Sequence, residues 1–298
     1  MTFRLWPITE SFGAEVEGVD LRAPPAGDTL AALEDAFARY AVLVFPEQAL
    51  TPEQHSNAAA AFGPLEPMAK RLAGQDKAGR LMEHLIDVSN LTNDDRPWDA
   101  DSRSRAVQLG NQLWHTDSSF KFVPARASFL YGRAIPAFAG QTEFADLRAA
   151  WDALDEPTKA AVDGKVALHS LMTSRRKSGF GDFTPDEIAA MQPVPQVLVR
   201  RLPKSGRRSL YLASHIGAIA GMDDTAAQSL VDRLVAHATQ RQFVYTHRWR
   251  AGDLVMWDNR CTMHRVKPFD DLQARRDLQR ATVLDTANSC ELMGIALP

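Results

Sequence analysis

The chain has 298 residues, 45% of them hydrophobic and 24% charged, a globular composition with ample length to bury a core. Its formal net charge of −3 and isoelectric point near 6.2 give no general pull toward nucleic acid or an anionic membrane, so neither is an expected partner. Two cysteines, Cys261 and Cys290, form no CxxC and no disulfide framework, which fits a reducing compartment. With no apolar run of signal-peptide or bilayer length, the expected location is the cytoplasm.

In chain order, a short strand pair is followed by "TLAALEDAFARY" (Thr29 to Tyr40), apolar at helical spacing, and by "AVLVFP" (Ala41 to Pro46), a buried strand ended by proline. "TPEQHSNAAAAFG" predicts a helix with a threonine cap, proline at its first position, glutamate in its first turn and a terminal glycine. Pro97 to Ala106 is polar and weakly periodic and reads as a mobile loop. "DVSNL", "ASFLYGRA", "QTEFAD", the run Val197 to Tyr211 and "DLVMWD" read as strands; "LRAAWDALDEPTKAAVDG" and "DDTAAQSLVDRLVAHATQ" read as helices between them. Strands in the first and last thirds with helices inserted imply a mixed, sheet-based domain whose halves pack together. The basic runs Ser174 to Gly179 and Lys204 to Ser209 read as solvated loop charge, or as a draw for anions at a pocket mouth.

In "LWHTDSSF", His115 and Asp117 stand two apart, which on a strand places an imidazole and a carboxylate on one face. Such a pair is either a hydrogen-bonded polar pair or half of a metal site. A redox iron in a two-histidine, one-carboxylate triad needs a second imidazole from elsewhere. His264 in "GDLVMWDNRCTMHRV" has the right surroundings, since a buried strand runs into an Asp-Asn turn before it. His55 and His237 fall in helical patterns and read as surface or satisfied core histidines, while His215 in "LASHIGA" reads as structural or as lining a pocket.

"NQLWHTDSSF", "GQTEFADLRAAWDAL", "HATQRQFVYTHRWRAGDLVMWDNRCTMHRV" and "RRDLQRATVLD" together resemble, in order, motifs of the iron(II)- and 2-oxoglutarate-dependent dioxygenases of the taurine and 2,4-dichlorophenoxyacetate type. The likeness runs over nearly the whole chain and is closest to the 2,4-dichlorophenoxyacetate branch. It implies one domain over 1–298, a double-stranded β-helix (jelly-roll) core flanked by α-helices. It also implies iron ligation by His115, Asp117 and His264, with 2-oxoglutarate as co-substrate, O2 as oxidant and a homo-oligomeric state. The family's 2-oxoglutarate clamp falls on Thr142 and Arg276, although the segment after His264 is a residue longer than in the taurine branch and leaves Arg275 as the other candidate. Arg280 matches the position that meets the anionic end of substrate or co-substrate, and Asn111 a polar residue near both.

The implied reaction hydroxylates a small carboxylate-bearing substrate, an aryloxyalkanoate whose ether is then cleaved to a phenol and an oxo acid, with release of succinate and CO2. Ile86, Val88, Leu91, Met172, Phe180 and His215 are the expected pocket lining. Taken without the motifs, Arg275, Arg276 and Arg280 read as surface charges pairing with Asp270, Asp271 and Asp277, and Trp114 and Trp257 as core. Rival readings are the same chemistry on a sulfonate, alkyl sulfate or xanthine-like substrate, a zinc hydrolase, and a non-catalytic jelly-roll binding protein.

Overall fold

The computed structural model describes residues 3–67 and 84–298. The chain opens with the antiparallel pair β1 (Arg4–Pro7) and β2 (Ala14–Glu17). Helix α1 (Gly27–Tyr40) buries Leu33, Ala36, Phe37 and Tyr40 along one stripe, and β3 (Val42–Phe45) is buried throughout. Helix α2 (Pro52–Ala60) starts as its sequence predicts and completes a reciprocal cap: Gln54 N–H donates to Thr51 Oγ, and Thr51 N–H to the Gln54 side chain.

Next come β4 (Leu85–Asp87), α3 (Arg103–Gln108), the long strand β5 (Ala125–Ala134) and β6 (Thr142–Asp146). The helical stretch after β6 divides into α4 (Leu147–Asp152) and α5 (Glu156–Val162), because Asp155 caps a new helix by accepting the Thr158 amide at 2.7 Å. The middle of the chain supplies β7 (Val166–His169), α6 (Leu171–Lys177), α7 (Pro185–Ala190), β8 (Val194–Val197), β9 (Val199–Arg201), β10 (Arg208–Leu210) and β11 (Ile216–Ile219). It closes with α8 (Asp224–Ala238), β12 (Val244–His247), β13 (Leu254–Asp258), β14 (Thr262–Val266), β15 (Asp277–Leu284) and α9 (Ser289–Met293).

Among the described residues, seven strands form the major sheet in the order β1-β2-β3-β13-β5-β15-β4, and β12-β6-β14 form a smaller antiparallel sheet. Period-two alternation divides their side chains between layers. Leu43, Phe45, Leu254, Met256, Phe129 and Tyr131 pack outward in one cluster with α1 and α2. Val42, Val44, Val255, Trp257, Leu130 and Leu278 pack inward against Phe144 of the smaller sheet. Beyond that sheet, Ala145 and Met263 join α4 and α8 in a third cluster. The two facing sheets wrapped by helices are the jelly-roll that the resemblance implies.

Two local expectations are corrected. His115 and Asp117 do not share a strand: His115 makes one isolated bridge, to His264, and the chain turns at Asp117. The ladder stops because the Asp117 amide donates to the Asn259 side chain at 3.2 Å and Ser118 takes a left-handed conformation, φ 52°. The supposed loop Pro97 to Ala106 runs into α3, whose start Ser102 caps. Ion pairs from Arg103 to Asp182 and Glu187, and from Arg105 to Asp271, hold it in place of an apolar stripe.

Candidate active site

His264 lies on the inner face of β14, opposite Phe144 in the β14–β6 register, and its ring stacks on Phe144 with centroids 6.0 Å apart. The sequence makes this position rigid: β13 carries the chain to Asp258, a turn follows, and β14 returns. His115 is set directly across from His264 by two reciprocal backbone hydrogen bonds, His115 N–H to His264 O at 3.0 Å and His264 N–H to His115 O at 2.8 Å. Opposed residues of an antiparallel bridge share a face, so the imidazoles come together with centroids 4.2 Å apart.

The turn after His115 swings Asp117 between them, with carboxylate oxygens 3.9 Å from His115 Nε2 and 3.8 Å from His264 Nε2. These separations are too long for hydrogen bonds. Instead, one donor atom from each of the three residues falls within 4.8 Å of the others, in a buried cluster.

The protonation states suit a cation. His115 Nδ1 lies 2.7 Å from the Leu113 carbonyl, which fixes that nitrogen as the donor and leaves the Nε2 lone pair toward Asp117. Burial pushes His115 down to about 4 and His264 well below its ordinary value, so both rings are neutral at pH 7. Burial acts to raise Asp117, but the Arg280 guanidinium, the two imidazoles and Ser128 outweigh it and hold the carboxyl below its usual range. Two neutral imidazoles and one carboxylate on one side of a point are the donor set of a facial triad.

A polar cage fixes Asp117. Ser128 Oγ donates to Asp117 Oδ2 at 2.7 Å; Asn259 donates to Ser128 Oγ at 2.9 Å and accepts from Trp257 Nε1 at 2.9 Å and from the Asp117 amide. Trp257, read from sequence as core, is fully buried, and its ring also lies 4.6 Å from that of His264. Trp114 is half-buried, beneath the Arg265 guanidinium at 4.6 Å.

His115 and His264 open on a cavity. Thr142, Arg276, Arg280, Asn111 and Val88 line it. Arg276 is buried, with Nε donating to Gly140 O at 3.2 Å and Nη2 3.5 Å from Thr142 Oγ. Its backbone amide donates to Asn90 Oδ1 at 2.8 Å, and Asn90 in turn donates to the Asp271 and Ala274 carbonyls, which shapes the loop ahead of β15. Burial lowers Arg276 to about 10, so it stays charged at neutral pH. Arg275 instead lies outside, paired with Asp95 and Asp277. Arg280 pairs with Asp117.

The remaining expected lining residues fall outside the described cavity wall. Ile86 pairs with Arg280 across β4 and β15, Leu91 is buried in a bridge to Pro97, and Met172 is buried on α6. Phe180 packs with Val107, and His215 stands behind His115, edge-on at 6.1 Å, with Nδ1 held by Ser119 Oγ at 2.9 Å. Sequence reasoning missed Asn90, Trp98, Arg105, Gln108, Phe269 and Asp271 in the wall, because they come from loops and from α3, which only tertiary packing brings together.

The family model described as "Taurine catabolism dioxygenase TauD, TfdA family" matches residues 5–282. The chain is 40% identical over 281 residues to an alpha-ketoglutarate-dependent 2,4-dichlorophenoxyacetate dioxygenase of Cupriavidus pinatubonensis, covering 94% of this chain and 97% of that one. It is 37% identical to an (S)-phenoxypropionate/alpha-ketoglutarate-dioxygenase of Sphingobium herbicidovorans, covering 92% of each. Among solved structures it resembles AAD-2 in complex with Mn(II) and N-oxalylglycine, at 45% identity and a TM-score of 0.88 over 97% of this chain and 99% of that one. The chain therefore belongs to the TauD/TfdA family of dioxygenases.

Proposed function

We propose that this protein is an iron(II)- and 2-oxoglutarate-dependent dioxygenase that cleaves the ether of an aryloxyalkanoate. The observation that carries the reading is the convergence of His115, Asp117 and His264 beside a cavity that also holds two guanidiniums, Arg276 and Arg280. The donor set suits iron, which with 2-oxoglutarate and O2 would supply the oxidation of one substrate C–H bond while the oxo acid becomes succinate and CO2.

The chain's own residues do the rest. His115, Asp117 and His264 hold the metal on one side. Arg276 and Thr142 bind the distal carboxylate of 2-oxoglutarate, since a buried anion needs a fork of donors. Arg280 and Asn111 face the substrate's carboxylate, while Val88, Trp98 and Leu130 supply apolar wall for an aromatic body. Hydroxylation beside the ether oxygen gives a hemiacetal, which collapses to a phenol and an oxo acid. The relatives that act on 2,4-dichlorophenoxyacetate and (S)-phenoxypropionate support this substrate class. The reading extends to a cytoplasmic homo-oligomer; two free, buried thiols suit a reducing compartment, and light scattering checks the assembly.

The test is an anaerobic ultraviolet-visible titration of the protein with iron(II) and 2-oxoglutarate, then air with aryloxy acids, an alkyl sulfate, taurine and xanthine. A weak visible band, and succinate release that rises with the aryloxy acids, is the expected result. Succinate released only with the sulfate or taurine overturns the substrate class, and none with any compound overturns the function.

A further inference from the structure

The basic run Ser174 to Gly179 divides in the structure. Arg176 lies over the Phe183 ring at 5.7 Å, and Lys177 donates to the Ile216 carbonyl at 3.1 Å. Arg175, in the last turn of α6, turns instead toward the triad. Its guanidinium lies against Gly110, where a Cβ would come within 2.3 Å of Nη1 and 2.8 Å of Cδ and Cζ, so the glycine makes its berth. Nη1 donates to Ser174 Oγ at 3.3 Å and Nη2 to Asn111 Oδ1 at 3.4 Å, while Nε is buried without a partner. Among the described residues, no carboxylate lies within ion-pair distance of it.

Arg175 is not among the residues that line the cavity; the guanidiniums that do line it, Arg105, Arg276 and Arg280, have assigned anions. Arg280 is matched by Asp117, Arg105 by Asp271 at 2.7 Å, and Arg276 by the co-substrate in the reading above. Arg175 differs from them in having no carboxylate within ion-pair distance among the described residues: Asp117 attracts it only from further off, against repulsion from Arg280, and such a charge away from water favours the arrival of an anion.

Its contact with Asn111 gives that charge a direction. With Oδ1 turned to Arg175 and one N–H given to Gln108 Oε1, Asn111 keeps its second N–H as a donor for the cavity it lines. Without Arg175 only Gln108 orients the Asn111 amide, and turning it over to offer its carbonyl, which an anion avoids, no longer costs the bond to the guanidinium.

We propose that Arg175 is a positioning residue for substrate recognition: it locks the Asn111 amide with a donor toward the cavity and backs it with positive charge, so that the chamber selects a carboxylate over a neutral group. The proposal rests on the dioxygenase reading and names the part of the chain that enforces its anionic substrate class.

The experiment compares wild type, Arg175→Met, Arg175→Lys and Gly110→Ala, the last displacing the guanidinium without removing it. Equilibrium dialysis with phenoxyacetate and with neutral 2-phenoxyethanol reads binding; succinate formation gives KM for phenoxyacetate and for 2-oxoglutarate. Arg175→Met and Gly110→Ala should weaken phenoxyacetate about tenfold, the scale of one charge-assisted hydrogen bond, with 2-phenoxyethanol binding and the 2-oxoglutarate KM held within about twofold. Arg175→Lys should recover part of the loss. Equal weakening of both ligands, a rise confined to the 2-oxoglutarate KM, or no change overturns the proposal. Should wild type release no succinate with any aryloxy acid, the dioxygenase reading fails, while the dialysis comparison still decides whether Arg175 selects anions.

Discussion

Asn259 holds Asp117 from behind: its Oδ1 receives the Asp117 amide at 3.2 Å, and its Nδ2 reaches the Ser128 hydroxyl that donates to the Asp117 carboxylate. One side chain thus fixes both the backbone and the charged end of a proposed ligand, and it also accepts the Trp257 indole N–H. Asn259→Ala should weaken iron(II) binding about 10- to 100-fold, the usual effect of losing a group that orients a ligand. It should also cost about 1–3 kcal/mol of stability through the buried donors left unpaired. Anaerobic equilibrium dialysis with iron and urea unfolding measure the two, and unchanged iron affinity would show the cage to be structural only.

Removing the proposed ligands should separate chemistry from stability. His115→Ala and Asp117→Ala should both abolish succinate formation and keep the native circular dichroism spectrum. Asp117→Ala should be the less stable of the two, by on the order of 3 kcal/mol, because it strands the largely buried Arg280 guanidinium. Urea midpoints in the absence of metal test this order; equal midpoints would mean that Arg280 finds another partner or water.

The parts of this site that were legible in the sequence are those set by local pattern. An apolar strand and an Asp-Asn turn were read ahead of His264, and the observed β13 and its turn follow that reading closely; β14, which carries His264, was not read. The geometry of His115 and Asp117 was misread because its cause is remote: a bridge to His264 and a bond to Asn259, each more than 140 residues away, override the two-residue period of a strand. Helix α3 was missed for a similar reason. Its sequence has no apolar stripe, and beside one buried apolar residue, Val107, its holding contacts are ion pairs to Asp182, Glu187 and Asp271 from other segments. Spacing to Arg280 favoured Arg276 over Arg275, and the structure turns Arg275 outward to Asp95 and Arg276 inward beside Thr142.

That inward pairing makes a sharp kinetic prediction. Thr142 Oγ accepts from Trp249 Nε1 at 2.9 Å and lies 3.5 Å from Arg276 Nη2, so N–H groups occupy its lone pairs and its own proton is left for an incoming acceptor. A carboxylate oxygen of 2-oxoglutarate fits that need. Thr142→Val should raise the KM for 2-oxoglutarate about tenfold and Arg276→Gln about a hundredfold, on the scale of neutral and charge-assisted hydrogen bonds. Thr142→Ser should stay near wild type. Steady-state succinate assays with the aryloxy acid saturating are the check, and a rise in the aryloxy acid KM alone would move these residues to the substrate's side.

His55 gives stability a pH dependence away from the triad. It is fully buried on α2, with Nε2 3.0 Å from the Phe129 carbonyl and Nδ1 without a partner. Burial pushes it down to about 4 from its ordinary 6.5, so the unfolded chain takes up a proton over a range in which the folded chain does not. Its contribution is therefore whole above about pH 6.5, falls as the pH drops toward 4, and is spent below that. At 1.36 kcal/mol per unit the loss is on the order of 3 kcal/mol. Urea unfolding of metal-free protein between pH 7 and 4 should show this decline, and His55→Gln, less stable than wild type at pH 7, should decline less steeply. Parallel curves for the two proteins would show that His55 keeps its ordinary proton affinity in the fold.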